Sequence, residues 1–508
     1  MTTPIRVLEL CVLGFATWPG VRLAASGSLR RQFPAVYAGA LLALVLWGCG
    51  VALVAVMAPT GLHVLAALIA AALAVATVRA RTGFRFARRL PPGSLSLVES
   101  IRALADRRFY LDKARRHGPI FKTAQFNHKV VCVLGLERGH GLLRDHAASL
   151  EPTPQPFTRE ISGGFLRYME GDTYRLYGPL FRKALARPVM AAAGQVTLEV
   201  TRRELDRAAA DCVRSPHGGV RPALYLERVV HGAFLRALFG ITPGSVEEDR
   251  VADPFRQLAR QSLGAPLEAS TKDALGLLRE ELAGHLARQL DGSPVTATSA
   301  LTELNRIDAR MPDETCYDNL LFTHKVATAN VASLLHWLLA ILGRHPSWLA
   351  RGRAELDSPG PSDGPPLSER LVLETLRLAQ SEYLYRQIAR DIEYEGFRLP
   401  AGWMLRICVW ESHRDADIFE DPESFNPDRF LANAFTPAEY SPFGWSGHAC
   451  NGVPLAMLIS RTFVEELVRR FELTVSHAEP VERDFRHWSH WRPSSRLELR
   501  LAPQGTGT

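Results

Sequence analysis

The sequence predicts a mainly α-helical protein with a small β region, preceded by an N-terminal transmembrane helical hairpin. Three observations support this fold class. Two long apolar runs lie within the first 78 residues, residues from about 195 to 310 and from 313 to 342 have helical patterns, and the strands predicted at residues 129–134 and 385–402 are short. With 508 residues, of which 47% are hydrophobic, the chain can bury a sizeable core.

The membrane anchor is predicted from residues 36–57 and 62–78. The first run has 22 uninterrupted apolar residues, and about 20 suffice to cross a hydrocarbon core. Nine arginines and one acid, Glu9, give the first 90 residues a net charge of +8, and no arginine lies between the runs. The positive-inside rule therefore places both ends of the hairpin, and the large domain, in the cytoplasm. The alternative is one span followed by an interfacial helix, because the second run is short.

The rest of the chain carries a net charge of −1, which argues against a nucleic-acid-binding surface. None of the seven cysteines forms a Cys-x-x-Cys pair, and a cytoplasmic domain is not expected to contain structural disulfides. The proline-rich stretch Arg88–Ser94 predicts a stiff linker. The predicted organisation is thus an anchor of residues 1–89 and a larger domain of residues 90–508.

The stretch from Ser441 to Ala456 offers one cysteine in an unusual setting. Cys450 follows a turn-rich run, precedes Gly452 and leads into an apolar, helix-compatible segment. Backbone N–H groups turned toward the sulfur, and the N-terminus of the following helix, stabilise a thiolate. A lone cysteine cannot complete a zinc or four-cysteine iron–sulfur site, whereas one axial thiolate on haem iron needs no second protein ligand. The alternative is a buried cysteine beside a glycine turn.

The cysteine loop is defined by Phe443, Gly447, His448, Cys450 and Gly452, and it resembles that of the cytochrome P-450 family. The resemblance implies a haem-thiolate fold over roughly residues 90–501. It also implies haem b (iron protoporphyrin IX), with Cys450 as the iron ligand, Phe443 and Gly452 next to it, and His448 paired with a propionate. The sequence departs from the family at Ser446, where the family usually has glycine, so the loop turn is expected to differ slightly.

The resemblance extends to a pair one helical turn apart, Glu374 and Arg377, and to Arg429 in the segment Phe425–Phe430. In the family, these three residues form a buried ion network that braces the cysteine loop, because one acid bracketed by two guanidinium groups leaves no interior charge unpaired. Taken alone, the first two are an ordinary helix-surface pair. Arg386, on a predicted strand, is similar to a propionate-binding arginine of the family, and the alternative is a surface charge on an edge strand.

Residues 151–168 form a loop by composition, and the corresponding loop of the family covers the substrate pocket. The helix that follows should carry an aromatic residue and, four positions later, an arginine for a haem propionate. Tyr174 matches the aromatic residue as a cofactor-binding position, but Gly178 stands where the arginine is expected. Arg182 or Arg175 could replace it, although Arg175 is better interpreted as solvated helix surface.

A long apolar segment, from Asp313 to Leu342, predicts a helix that runs through the core. It is similar to the central helix of the family, which carries an acid and a threonine that arrange protons for O–O cleavage. Spacing from both ends of the segment places this motif on Val326–Asn330. Ala329 stands where the acid is expected and Asn330 where the threonine is expected.

The replacement of the expected acid by Ala329 and of the expected threonine by Asn330 leaves several interpretations open. An amide can donate and accept a hydrogen bond but is a poor proton relay, and alanine supplies no carboxylate. Water or substrate groups could complete the relay in an otherwise normal monooxygenase. Otherwise the enzyme uses peroxide or a substrate N–O or O–O bond, as in nitrene or oxygen transfer, rearrangement or C–N bond formation. In a third interpretation, Asn330 is a polar residue that kinks the helix, and its side chain forms a hydrogen bond with a neighbouring carbonyl. Thr328, the nearest hydroxyl, should face elsewhere.

The resemblance therefore predicts a membrane-anchored haem-thiolate monooxygenase or related oxidoreductase with a cytoplasmic catalytic domain. An anchor favours a small lipophilic substrate, and bacterial natural-product biosynthesis is the expected setting. The expected partners are the membrane, the substrate and, for a monooxygenase, a ferredoxin- or flavin-type electron donor, with no nucleic acid. The alternative from another class is a non-catalytic haem-binding sensor or carrier. His413 is expected to be structural and not a ligand.

Overall fold

The structure is a computed structural model that describes residues 90–125, 128–153, 160–262, 265–291, 298–358, 364–380, 383–445, 449–479, 481–484 and 490–504. The predicted membrane spans, 36–57 and 62–78, lie outside the described residues. So does the predicted propionate partner His448.

Helices account for most of the described chain, as predicted. They are α1 (Leu97–Ala105), α2 (Phe109–His117), α3 (Leu136–Asp145), α4 (Gly171–Ala184), α5 (Arg187–Arg214), α6 (Ala223–Phe234), α7 (Val246–Arg260), α8 (Ala269–Leu290), α9 (Ala300–Ile307), α10 (Glu314–Leu342), α11 (Pro346–Asp357), α12 (Leu367–Ala379), α13 (Val409–Ser412), α14 (Arg429–Ala432) and α15 (Val453–Arg470). A π-helical turn, Leu235–Phe239, continues α6, and short 3-10 turns cover Ala147–Ser149 and Leu166–Tyr168.

The β region is small. Its strands are β1 (Ile120–Gln125), β2 (His128–Leu134), β3 (Leu150–Glu151), β4 (Tyr383–Ile388), β5 (Ile392–Tyr394), β6 (Phe397–Leu399), β7 (Met404–Cys408), β8 (Phe471–Ser476), β9 (Glu482–Asp484), β10 (His490–Arg492) and β11 (Glu498–Pro503). The strands predicted near residues 129–134 and 385–402 are therefore present.

The chain forms two compact units. The first comprises residues up to Glu151, Tyr383–Glu411 and Arg483–His490. Its five-stranded sheet has the order β1-β2-β7-β4-β3, in which β2 and β7 are parallel and the other neighbours antiparallel. Alternate β2 residues point to opposite faces, so that Val131 and Val133 belong to one apolar cluster and Val130 and Cys132 to another. Both faces of the sheet are therefore buried.

The proline-rich linker begins the described chain and is bound to the first strand of this sheet. The Lys122 N–H donates to the Pro92 carbonyl at 2.8 Å, and the Lys122 ammonium donates to the Pro91 carbonyl. Gly93 has φ +121°, and a Cβ atom there would lie 2.1 Å from the Lys122 carbonyl oxygen. Only glycine satisfies both conditions, so the linker has a fixed path at this point.

The second unit comprises residues 152–382, 412–482 and 491–508 and is mainly helical. Its central helix, α10, runs through the core as predicted, with nearly all of its apolar side chains buried. Asp313 caps it by accepting the Cys316 N–H at 2.9 Å. Among the described residues, α10 alone is long and apolar enough to cross a membrane, but 67% of its most apolar window is buried within the protein. It is a core helix.

Candidate functional site

The loop before α15 folds back on itself around Cys450. The Cys450 N–H donates to the Phe443 carbonyl at 2.9 Å, and the Ser441 hydroxyl donates to the Gly444 carbonyl at 2.9 Å. Gly444 has φ +78°, which favours glycine at this turn. Gly452 is the N-cap residue of α15. The predicted sequence of turn, cysteine and helix N-terminus is therefore present.

The Cys450 thiol is subject to opposing electrostatic effects. Burial among protein atoms is the largest influence and raises its pKa, whereas the N–H groups of Gly452 and Val453 and the charge of Arg167 lower it. The side chain is nevertheless exposed to solvent-sized molecules. Both properties are expected of a thiol that faces a concave space and is not packed into the core.

That space is a cavity of about 690 Å³. Apolar and small residues from the end of α4, the start of α5 and the cysteine loop line much of it, together with two arginines. The lining residues are Arg182, Leu185, Ala186, Arg187, Met190, Ala449, Cys450, Asn451 and Pro454. A mostly apolar cavity with a few polar groups and one reactive side chain is typical of cofactor and ligand sites.

The arginine missing from position 178 has a structural explanation. The Tyr174 ring packs over Gly178, and a Cβ atom on Gly178 would lie 3.0 Å from that ring, so a larger residue would displace the ring. Arg175 is exposed and ion-paired with Asp172, as its interpretation as helix surface predicts. Arg182, one turn beyond Gly178, lines the cysteine cavity. Of the two predicted replacements, Arg182 is therefore the one placed beside Cys450.

Arg167 was not predicted as a site residue. It lies in a 3-10 turn that is held on the central helix, because the Leu166 N–H donates to the Asn319 side-chain oxygen at 2.6 Å and the Asn319 amide donates to the Gly164 carbonyl at 3.0 Å. No carboxylate in the described part of the chain forms an ion pair with Arg167, and its guanidinium lies 5.9 Å from the ring of Tyr168. No motif marks it in the sequence, and its position in the loop at 151–168 was the only available signal.

Arg386 lies on β4, in the first unit, and its Nη1 donates to the Tyr385 carbonyl at 2.9 Å. Its assignment to a haem propionate stays a prediction, as does that of His448. Phe443 is partly buried against the main apolar core of the second unit. The backbones of Phe443 and Cys450 are joined by a hydrogen bond, and the position of the Phe443 ring next to the sulfur stays a prediction.

The ion network predicted for Glu374, Arg377 and Arg429 is present. Arg377 donates from Nε and Nη2 to the two Glu374 oxygens, both at 2.8 Å, and Arg429 donates from Nε to the same carboxylate at 3.1 Å. The Asn426 N–H also donates to Glu374, at 2.9 Å. The Glu374 and Arg377 side chains are 0% exposed and that of Arg429 is 4% exposed, so these residues are interior and not a surface pair.

The remaining Arg377 donors bind backbone carbonyls. Nη1 donates to His413 at 2.8 Å and to Pro422 at 2.7 Å, and Nη2 donates to Ser424 at 3.1 Å. Every N–H group of this guanidinium is therefore used. The network fixes the irregular segment between α13 and α14, as expected for a brace and not for a catalytic group.

The central helix is less tightly packed where the unusual residues lie. All five residues of Val326–Asn330 are partly exposed, whereas the neighbouring turns are largely buried. The Gln380 side-chain amide donates to the Asn330 carbonyl at 3.1 Å, and Ala329 offers no polar side chain. The Thr328 hydroxyl is buried without a hydrogen-bond partner in the described structure. The helix is therefore not fully covered at these five residues, and the Thr328 hydroxyl among them is buried and unsatisfied in the described part of the chain.

Comparison with known proteins identifies a family to which the chain is similar. A family model described as Cytochrome P450 matches residues 305–501. The chain is similar to Abscisic acid 8'-hydroxylase 3 of Oryza sativa subsp. indica, with 26% identity over 434 residues, 78% of this chain and 84% of that protein. It is similar to Cytochrome P450 26A1 of Gallus gallus, with 25% identity over 437 residues, 77% of this chain and 86% of that protein.

Two solved structures have the same fold. One is the retinoic acid-bound cyanobacterial CYP120A1, with a TM-score of 0.66 and 22% identity over 82% of this chain and 100% of that chain. The other is a zebra fish cytochrome P450 with abiraterone, with a TM-score of 0.62 and 18% identity over 78% of this chain and 99% of that chain.

Proposed function

Because the chain belongs to the cytochrome P450 family, and is thus a haem b oxidoreductase of the haem-thiolate class, we propose that it hydroxylates a small lipophilic carboxylic acid. The residues present fit haem. Cys450 offers an accessible sulfur for the iron, and Arg182 lines the same cavity for a propionate. Arg386 and His448 are the other proposed propionate partners. Bound haem supplies the redox chemistry that activates oxygen.

The observation that carries the carboxylate assignment is the unpaired charge of Arg167. It is exposed and has no carboxylate partner among the described residues, and its charge lowers the pKa of the Cys450 thiol. It also belongs to the loop that covers the substrate pocket in the family. Arg167 does not line the cavity beside Cys450, so the proposal places it at the edge of the substrate pocket, where a guanidinium is suited to bind a carboxylate because the pair is bidentate and charge-assisted.

The similar proteins support this substrate class. Abscisic acid appears in the name of one relative, and one of the two solved structures is bound to retinoic acid. Each compound has a single carboxylic acid on a largely hydrocarbon skeleton. Neither compound is assigned to this chain, which shares at most 26% identity with those relatives. What we transfer is the chemical class.

Substrate binding tests the proposal without knowledge of the natural substrate. Retinoic acid and its methyl ester are titrated into the haem-bound protein while the Soret band is monitored. We expect the acid to bind at least about tenfold more tightly than the ester, because a hydrogen bond to a charged group contributes about 1.5–3 kcal/mol. Arg167→Leu should abolish this preference at unchanged haem content, and Arg175→Leu, an exposed control, should keep it. An ester that binds wild type as tightly as the acid would contradict the carboxylate assignment.

A second candidate function concerns how oxygen is supplied, and the residues at Ala329 and Asn330 favour it. No carboxylate or alcohol occupies the two positions that handle protons in the family, and the nearest hydroxyl, that of Thr328, has no partner in the described structure. We propose that Asn330 holds the reacting ligand by its amide and that protons come from water or substrate. Use of peroxide or of a substrate N–O or O–O bond is the alternative, and turnover under anaerobic conditions without reductant would favour it.

The cellular setting is also part of the proposal. Residues 36–57 and 62–78 are proposed to anchor the protein in the membrane with the catalytic part in the cytoplasm, within bacterial natural-product biosynthesis. A ferredoxin- or flavin-type protein is proposed as the electron donor. Deletion of residues 1–89 should move the protein from the membrane fraction to the soluble fraction, and retention in the membrane would place the anchor elsewhere.

A further inference from the structure

We infer that His413 is a positioning residue that joins the buried ion network to the cysteine loop and holds Cys450 in the geometry of an iron ligand. This inference rests on the proposed role of Cys450. The backbone and the ring of His413 contact different parts of the second unit.

The backbone end binds the ion network. The His413 carbonyl accepts a hydrogen bond from Arg377 Nη1 at 2.8 Å. Arg377 is itself fixed by Glu374, to which it donates twice. The location of the His413 backbone in the fold is therefore fixed by an interior ion pair.

The ring end binds the cysteine loop. The Ser441 N–H donates to His413 Nε2 at 3.1 Å. Ser441 opens the loop, its hydroxyl donates to the Gly444 carbonyl, and the Phe443 carbonyl accepts the Cys450 N–H. A continuous series of hydrogen bonds and short chain segments thus leads from the ion network to the cysteine.

The ring has little freedom to leave this position. His413 is 0% exposed. Its ring packs against Tyr440, with centroids 5.1 Å apart, and against Phe419, at 6.1 Å. Because Nε2 accepts, the proton of the neutral ring is on Nδ1, which has no hydrogen-bond partner among the described residues. The Ser441 contact is therefore the one polar interaction that the described structure gives this ring.

Two substitutions at position 413 distinguish the loss of the hydrogen-bond acceptor at Nε2 from the loss of the ring itself. The side-chain oxygen of glutamine reaches about as far as Nε2 and can accept the Ser441 N–H, whereas the oxygen of asparagine reaches only about as far as Nδ1. His413→Gln should therefore preserve the contact and His413→Asn should remove it, leaving a buried N–H unsatisfied. Both variants are polar and similar in size. His336→Asn is the matched control, since His336 is buried in the same unit outside the series.

The test is the carbon monoxide spectrum of the reduced, haem-loaded protein, which reports thiolate ligation independently of any substrate. We expect His413→Asn to lower the ratio of thiolate-type to thiol-type Soret absorbance at least about fivefold, the effect of one unsatisfied buried hydrogen-bonding group. His413→Gln and His336→Asn should retain the wild-type ratio. The inference is overturned if His413→Asn keeps the wild-type band, or if His413→Gln loses it as completely as His413→Asn.

Failure of the proposed function would look different. A wild-type protein that carries haem without a thiolate-type band would refute Cys450 as the ligand, whatever the variants show. If His413→Asn cannot be loaded with haem, the ratio of haem to protein is compared for His413→Asn and His413→Gln. An equal loss of haem in both variants contradicts the acceptor role of the ring. Loss of haem in His413→Asn alone supports it.

Discussion

Arg377→Lys is the substitution that most directly tests whether the ion network braces the fold. Lysine keeps the positive charge beside Glu374 but replaces a planar five-donor group with an ammonium that has three donors. In the structure, Arg377 makes two bonds to Glu374 and three to backbone carbonyls. At least two of these five hydrogen bonds must be lost, although Glu374 keeps Arg429 and the Asn426 N–H, and the Ser424 carbonyl keeps Arg429 Nη2.

The expected cost follows from that count. Each hydrogen bond to a charged group contributes about 1.5–3 kcal/mol, so the loss of two should lower the free energy of unfolding by about 3–6 kcal/mol. The total free energy of unfolding of a domain is about 5–15 kcal/mol. Arg377→Met should be worse, because it also leaves the Glu374 charge with Arg429 as its remaining cation, and breaking a buried pair costs about 3–5 kcal/mol by itself.

Urea-induced unfolding of the haem-bound protein, followed by circular dichroism, measures this effect. Arg306→Lys is the control, because Arg306 forms an exposed helix-surface pair with Glu303 and should leave the unfolding midpoint unchanged. An unfolding free energy for Arg377→Lys within about 0.5 kcal/mol of wild type would refute the reasoning, since it would mean that water or backbone movement satisfies the vacated carbonyls.

Three other predictions follow from the site. Asn330→Thr should change the fraction of reductant lost to uncoupled turnover at unchanged haem content, and identical product distribution and rate would remove Asn330 from the mechanism. Arg182→Ala should lower the affinity of the apoprotein for haem in a haem titration, while Arg175→Ala should not. Burial lowers the pKa of His336 to about 4 and that of His324 well below its usual value. As the pH falls, these histidines are therefore protonated in the unfolded chain before they are protonated in the folded protein. Each should lower the free energy of unfolding by about 1.4 kcal/mol per pH unit below about pH 6. Urea midpoints at pH 7, 6 and 5 that do not fall would contradict this.

The elements that could be predicted from the sequence are those with a local signature. The central helix was predicted from Asp313 to Leu342, and the structure begins it at Glu314 with Asp313 as its cap. The turn around Cys450 follows from its glycines. In these two cases neighbouring residues determine the structure. The network of Glu374, Arg377 and Arg429 was predicted only from the family resemblance, since the first two residues alone are an ordinary helix-surface pair.

The parts that could not be predicted depend on contacts between distant segments. Nothing near Ser441 indicates that its N–H meets the ring of His413, 28 positions earlier. The predicted structural role of His413 agrees with its burial, but its partner could not be predicted. Likewise, the sequence could not choose between Arg175 and Arg182, because the choice depends on which face of α4 borders the cavity.

Two groups of arginines in the second unit differ in how their charges are satisfied. Arg377 and Arg429 are buried, and their donors bind Glu374 and backbone carbonyls, so their role is structural. Arg167, Arg182 and Arg187 have no carboxylate partner among the described residues; Arg182 and Arg187 line the cavity with Cys450, and the charge of Arg167 lowers the pKa of the Cys450 thiol. A concave site with low-dielectric walls focuses such charge. Haem brings two propionates, which can neutralise two of these three cations. The remaining positive charge would attract a carboxylate more strongly than a neutral molecule.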